Sequence, residues 1–147
     1  MRLNQWDGAI EVAVPTEAKP AAMSEPAPAR ILVAEDEAIV AMVLEDTLSE
    51  AGHDADIVAD GLEAIELCTA RRYDLALLDL GLPGLAGDEV AARLTRADPE
   101  TVTVVMTGRT LGADDPRTAR FDLSVRKPFE THEIHEVIAR ALELKER

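Results

Sequence analysis

Short apolar runs alternate with amphipathic segments over most of the chain. The apolar runs show no strict alternation, the second is the weakest, and they span residues 31–34, 54–58, 75–79 and 101–106. Continuous apolar runs are typical of strands in a parallel sheet that is covered on both faces. A fifth strand is expected to end at Lys127. The pattern predicts a doubly wound five-stranded α/β domain over residues 30–147.

Apolar residues recur at helical spacing between these strands and after the last of them. The four helical segments lie around residues 39–48, 62–72, 90–97 and 134–142. Asp60 and Thr131 are predicted to cap the second and the last of these helices, because short oxygen-bearing side chains accept hydrogen bonds from free N–H groups. Residues 108–122 hold two glycines and a proline, so only a brief helix is expected there, starting at Asp115.

The first 29 residues differ in composition from the rest of the chain. They contain four prolines and many alanines, which predicts a flexible tail. Ile10, Val12 and Val14 alternate, as an added edge strand or a docking peptide would. Met23 is an alternative start to Met1.

Charge and cysteine content narrow the classes of function. Acidic residues outnumber basic ones by 29 to 15, for a net charge of −14. Such a charge opposes contact with nucleic acid and with anionic membranes, and it favours proteins and cations as partners. The single Cys68 cannot form an internal disulfide. No secretory signal or membrane-crossing run is recognised, which predicts a cytoplasmic protein.

Polar and charged side chains follow four of the predicted strands. In an open parallel sheet, the ligand site forms outside the carboxyl ends of the strands, where the winding reverses. These positions are Glu35, Asp36 and Glu37 after the first strand, Asp79 at the third, Thr107 at the fourth and Lys127 at the fifth. Carboxylates gathered at one point repel each other unless a divalent cation lies between them, and hard oxygen ligands suit Mg²⁺.

Four motifs together resemble the receiver domain of two-component response regulators. They are ILVAEDE, LALLDLGLPGLAGDEV, VVMTG and RKPF, within residues 31–144. The resemblance implies a flavodoxin-like sheet with strand order 2-1-3-4-5 and helices on both faces. It also implies that Asp79 accepts a phosphoryl group from a phosphohistidine of a histidine kinase or histidine phosphotransfer protein. Glu35, Asp36 and Asp79, with the backbone carbonyl of Gly81, would hold Mg²⁺.

The resemblance gives a role to each of the other motif residues. Thr107 would donate its hydroxyl to the phosphoryl group, and Lys127 would pair with Asp79 at rest and with the phosphoryl oxygens afterwards. The bond between Lys127 and Pro128 is a candidate cis peptide. Glu37 is interpreted as a favourable negative charge in the first turn of a helix. His132 and His135 are interpreted as an exposed helical face, because no third metal ligand accompanies them.

Two departures from the common receiver pattern bear on signal readout. Ser124 stands where many receivers carry an aromatic switch residue. The run VMTGRT partly resembles the FAT GUY subfamily, since Thr107 and Gly108 match its motif. The glycine-rich segment that follows is then expected to order on phosphorylation. The resemblance also implies that Arg109 and Gly81 occupy positions that tune the access of water to the phosphoryl group.

The sequence predicts a stand-alone receiver, because only 20 residues follow Lys127. It would act as a phosphorylation-controlled switch toward an unknown protein, or as a phosphorelay intermediate. It would not be an enzyme beyond its own aspartyl phosphorylation and dephosphorylation. A phosphorylation-independent binding module and a small Mg²⁺-dependent phosphohydrolase are the alternatives. The hydrolase is disfavoured because Gly81 cannot protonate a leaving group.

Overall fold

The computed structural model describes residues 28–108 and 115–145. Within these ranges the strands are β1 (Arg30–Ala34), β2 (Asp54–Val58), β3 (Leu75–Asp79), β4 (Val102–Thr107) and β5 (Leu123–Arg126). The α-helices are α1 (Ala38–Glu50), α2 (Gly61–Ala70), α3 (Gly87–Ala97) and α4 (Thr131–Lys145), and a 3₁₀ helix spans Pro116–Arg120.

The strands form one parallel sheet in the order β2-β1-β3-β4-β5. This is the predicted doubly wound, flavodoxin-like arrangement, and the prediction is confirmed. The winding reverses between β1 and β3, where Ala34 pairs with Leu78. Residues that follow β1 therefore lie beside the end of β3.

Each face of the sheet is covered by its own hydrophobic core. Leu75 and Leu77 of β3 belong to the core shared with α1 and α4. Ala76 and Leu78 belong to the core shared with α2 and α3. Since successive side chains of a strand point to opposite faces, a strand buried on both faces must be apolar at every position. The first four residues of the run LALLD are apolar for this reason, and all four are buried.

The predicted caps had different outcomes. Asp60 caps α2 as predicted, since its carboxylate accepts the N–H groups of Leu62 at 2.7 Å and Glu63 at 3.3 Å. The prediction for Thr131 was wrong, because α4 begins at Thr131 itself. The preceding Glu130 instead donates its N–H to Glu133 Oε1 at 2.7 Å. A glutamate that folds back in this way makes one of the two hydrogen bonds of a capping box.

The helix in the crossover between β4 and β5 is as brief as the sequence predicted. The described part of the crossover contains only the 3₁₀ helix, which begins after Asp115. Asp115 Oδ1 accepts the N–H of Arg117 at 2.8 Å. Helices α1 and α4 cover one face of the sheet, while α2, α3 and this short turn cover the other.

Gly87 allows α3 to approach the end of β3. A Cβ atom at this position would lie 2.2 Å from the Asp79 carbonyl oxygen. The Gly87 N–H also donates to the carbonyl of Leu80 at 3.1 Å. No side chain can be placed so near a main-chain oxygen, so the glycine fixes the start of α3 directly behind Asp79.

Two groups of sequence predictions lie outside the described residues. They concern residues 1–27, with the alternating Ile10, Val12 and Val14, and residues 109–114, with Arg109. At the predicted domain boundary, Ala29 is buried, and its N–H donates to His53 Nδ1 at 3.0 Å. None of the helices in the described ranges combines the length and the apolar character needed to cross a bilayer.

Candidate functional site

Three carboxylates meet at the carboxyl edge of the sheet. Glu35 and Asp36 follow β1, and Asp79 ends β3. Each offers a ligand oxygen, and these oxygens all lie within 4.8 Å of one another. The β1 and β3 pairing brings them together, because Ala34 and Leu78 are partners in the sheet. Glu35 is buried, Asp79 is half-buried and Asp36 is exposed.

Lys127 reaches this site from the far side of β4. Its N–H donates to the carbonyl of Thr107 at 2.7 Å, which ties the residue after β5 to the end of β4. Its Nζ lies 2.7 Å from Glu35 Oε1, 3.4 Å from Asp79 Oδ2 and 3.4 Å from Glu37 Oε1. The Lys127–Pro128 peptide bond is cis, as predicted. One ammonium group therefore forms ion pairs with three carboxylates.

Negative charge exceeds positive charge in this cluster. Burial raises the pKa of Glu35, and the neighbouring Asp79 charge adds to the rise, while contacts with Lys127 and the Glu37 N–H oppose it. Burial alone would lower the pKa of Lys127, but contacts with Glu35, Asp79 and Glu37 outweigh it and raise that pKa. The ammonium group thus stays charged and neutralises only part of the surrounding negative charge.

The donor set fits a hard divalent cation. All three converging ligands are carboxylate oxygens, which Mg²⁺ prefers. Glu35 Oε1 is buried and has no hydrogen bond among the described residues. Its 2.7 Å contact with Lys127 Nζ is an ion pair. A buried, under-coordinated anion beside two further acids is the environment that a cation stabilises.

The remaining predicted residues surround this cluster. Thr107 ends β4 one residue beyond Met106, the sheet partner of Asp79. The Gly81 N–H donates to Asp79 Oδ1 at 3.4 Å, and a Cβ at Gly81 would meet no atom within 4 Å. Ser124 lies exposed on β5, and β4 separates it from Asp79 on β3. The sequence therefore named residues that lie at or beside one edge of the sheet.

Glu37 corrects one prediction. Helix α1 begins at Ala38, so Glu37 occupies the N-cap position, and its side chain makes no capping hydrogen bond. The interpretation of Glu37 as a first-turn helix charge was wrong. Its carboxylate turns to Lys127, while its N–H donates to Glu35 Oε2 at 3.0 Å. Sequence spacing gave no signal for this contact, because Lys127 lies 90 residues away along the chain.

An apolar groove of about 390 Å³ adjoins the site. Its apolar walls include Ile39 and Val43 of α1 together with Pro128 and Phe129. Ile39 and Val43 are among the apolar residues at helical spacing in the first predicted helix, yet they are 76% and 44% exposed. The apolar positions of α1 are spread too widely around the helix for one buried stripe, and that width was the available signal.

Comparison with known families follows the same boundaries as the fold. The family model described as "Response regulator receiver domain" matches residues 31–139. The chain belongs to this family. The receiver assignment predicted from the four motifs is confirmed.

A curated relative of this receiver is the transcriptional regulatory protein TcrA of Mycobacterium tuberculosis. The two are 40% identical over 109 residues, which cover 71% of this chain and 42% of TcrA. The transcriptional regulatory protein YkoG of Bacillus subtilis is 36% identical over 116 residues, which cover 76% of this chain and 50% of YkoG. The receiver thus spans half or less of the length of these relatives.

Solved receivers share the fold. The receiver domain of the sensor histidine kinase PA1611 from Pseudomonas aeruginosa is 29% identical, with a TM-score of 0.71. The alignment covers 80% of this chain and 99% of that one. That structure is described as having a magnesium ion coordinated in its active-site cleft.

Proposed function

We propose that this receiver accepts a phosphoryl group on Asp79 from a phosphohistidine of a histidine kinase or histidine phosphotransfer protein. The observation that carries the proposal is the position of the Asp79 carboxylate. It lies with the oxygens of Glu35 and Asp36 inside one 4.8 Å cluster, and Lys127 Nζ is 3.4 Å from its Oδ2. Phosphoryl transfer needs positioning and charge neutralisation more than covalent help, and this cluster can offer both.

The proposed chemistry is a single displacement at phosphorus. An oxygen of Asp79 attacks the phosphorus, the phosphorus–nitrogen bond of the donor breaks, and the imidazole nitrogen keeps the electron pair. An acyl phosphate on Asp79 results. Lys127 turns its ammonium group from the resting carboxylates to a phosphoryl oxygen. Thr107 donates its hydroxyl to another phosphoryl oxygen.

The carboxylates of Glu35, Asp36 and Asp79, with the backbone carbonyl of Gly81, would hold Mg²⁺. Bound there, the ion would supply positive charge against the phosphoryl oxygens. The magnesium-bound PA1611 receiver supports this assignment by likeness. The under-coordinated Glu35 Oε1 supports it from this chain's own residues.

The proposed output is a changed protein surface. Phosphorylation draws Lys127 away from Glu37 and alters the rim of the adjoining groove, and a partner that distinguishes the two arrangements would read the signal. Passing the group onward in a phosphorelay would use the same acyl phosphate. The net charge of −14 supports protein partners over nucleic acid for this chain. The stand-alone arrangement, the tail at residues 1–29 and the cytoplasmic location stay predictions.

Intact mass spectrometry after incubation with acetyl phosphate and Mg²⁺ tests the proposal. The protein is expected to gain one phosphoryl group of about 80 Da, the mass of a phosphoryl added in place of a proton. The adduct should disappear with EDTA and in Asp79→Asn. Asp46→Asn, which removes an exposed carboxylate of α1, should keep it.

Other outcomes would favour the alternatives. No adduct with acetyl phosphate or with a phosphorylated kinase would contradict the proposal. Partner binding unchanged by Asp79→Asn would favour a phosphorylation-independent module. Repeated turnover of an external phosphate ester would favour a phosphohydrolase.

A further inference from the structure

Glu37 contacts both Glu35 and Lys127 in the charged cluster. Its main-chain N–H donates to Glu35 Oε2 at 3.0 Å, and its side-chain Oε1 lies 3.4 Å from Lys127 Nζ. Lys127 is only 18% exposed, whereas Glu37 is 64% exposed. The ammonium group therefore lies between a buried carboxylate on its inner side and a solvent-facing carboxylate on its outer side.

Glu37 lies immediately before α1, where its side chain is free to make this contact. Short side chains such as Asp, Asn, Ser and Thr cap the free N–H groups from this position, and glutamate is not among the preferred caps. Glu37 makes no such bond, and its carboxylate points instead to Lys127. Glu37 and Lys127 are also the charged residues of the groove lining, beside Ile39, Val43 and Phe129. Their ion pair thus lies between the Asp79 site and the apolar groove.

We infer that Glu37 is a positioning residue that sets the resting place of Lys127. The inference rests on the proposed phosphoryl acceptance by Asp79. Glu37 competes with an incoming phosphoryl group for the Lys127 ammonium, so the contact with Glu37 must break when Lys127 turns to a phosphoryl oxygen. Glu37 thereby stabilises the unphosphorylated arrangement and holds back the phosphorylated one.

Two substitutions separate the contact from the charge. Glu37→Gln removes the negative charge and the ion pair together. Glu37→Asp keeps the charge, but its side chain is one methylene shorter and is well suited to capping α1. The aspartate is therefore expected to turn to the helix N–H groups and leave Lys127.

The experiment measures beryllofluoride affinity at saturating Mg²⁺ and the rate of adduct formation from acetyl phosphate. Both variants are expected to raise both quantities about two- to fivefold, the scale of a solvent-exposed ion pair. Melting temperatures are measured in parallel, and Glu37→Asp should melt at or above the wild type. A faster reaction in that variant then cannot come from loosened structure.

The outcomes are distinguishable. A wild-type protein that binds no beryllofluoride and forms no adduct would defeat the proposed function. A wild-type protein that does both, with both variants unchanged or slower, would overturn the role of Glu37 alone. Acceleration by Glu37→Gln without acceleration by Glu37→Asp would also overturn it, because loss of bulk negative charge would then explain the result.

Discussion

The two edges of the sheet use similar residues in opposite ways. At the carboxyl edge, one ammonium group is shared by Glu35, Glu37 and Asp79, and Asp36 adds a further acid. Around the amino edge, individual acids have donors of their own. Asp74, for example, accepts the N–H of Arg30 at 2.9 Å and lies 3.8 Å from the ammonium of Lys145.

Asp56 on β2 shows the same matching beside the loop that leads into β3. Its Oδ2 accepts the hydroxyl of Tyr73 at 2.7 Å and Arg71 at 2.9 Å. Burial and the bond to Asp56 raise the pKa of Tyr73, so its hydroxyl remains a donor. Asp74 and Asp56 thus have donors in a region to which no chemistry is assigned. The carboxyl edge keeps surplus negative charge, and this is where a cation and a phosphoryl group are proposed to bind.

Lys127→Met should have the largest effect on stability. It leaves the buried Glu35 without its cation, so the free energy of unfolding at pH 7 without Mg²⁺ should fall by about 3 kcal/mol. Lys145→Met, at the opposite edge, should cost less than about 1 kcal/mol, because that pair is more exposed. Urea unfolding in EDTA measures both. Equal losses at the two edges would remove the contrast.

Asp36→Asn should have a smaller effect of the opposite sign. Asp36 belongs to the acidic cluster and has no ion pair with Lys127 among the described residues, so its charge only adds repulsion in the absence of metal. The free energy of unfolding in EDTA should rise by about 0.5 kcal/mol, and most of the stabilisation by Mg²⁺ should be lost. Titration of the melting temperature with Mg²⁺ measures the second effect. The control is Asp54→Asn, which changes an exposed acid at the amino edge and should respond to Mg²⁺ like the wild type. A wild-type response in Asp36→Asn would exclude Asp36 as a ligand.

The smallest expected effect is a pH dependence at the amino edge. Burial lowers the pKa of His53 below its usual 6.5, and the nearby His135 lowers it further. The unfolded chain then binds the proton more readily, so this stability is present above pH 6.5 and declines as the pH falls toward the folded-state pKa.

His53→Asn isolates this dependence, since an amide can still accept the Ala29 N–H but does not titrate. The variant should flatten the decline in the free energy of unfolding between pH 6.5 and 5.5. His132→Asn, on the exposed part of α4, should leave the decline unchanged. A decline of the same size in the wild type and in His53→Asn would assign it to other groups.

Much of the fold could be predicted because burial leaves a direct record in the sequence. The run LALLD is apolar at every position up to Asp79, and the structure buries both of its faces. The residues of the candidate site could be predicted because parallel strands end at one edge. Asp60 and Asp115 could be placed because a cap acts on residues two or three positions away.

Contacts between distant residues could not be predicted in the same way. The ion pair between Glu37 and Lys127 joins positions 90 residues apart. The bond between Asp56 and Tyr73 depends on how β2 lies against the loop before β3. Local propensity favoured a helix charge for Glu37, and its contact with the distant Lys127 overrode it. The hydroxyl cap predicted at Thr131 was wrong for a local reason, because α4 begins at Thr131 itself. The exposure of Ile39 was decided by packing.

The contact of Gly87 with the main chain of Asp79 limits how this receiver can be recombined with others. A methyl group at position 87 would begin 2.2 Å from the Asp79 carbonyl oxygen, so the helix start and the end of β3 fit only as a matched pair. A chimera that exchanges α3 with another receiver should therefore transfer residues 79–87 as one block. A splice inside that block would pair the helix start of one receiver with the strand end of another, and the close contact between them would not be preserved.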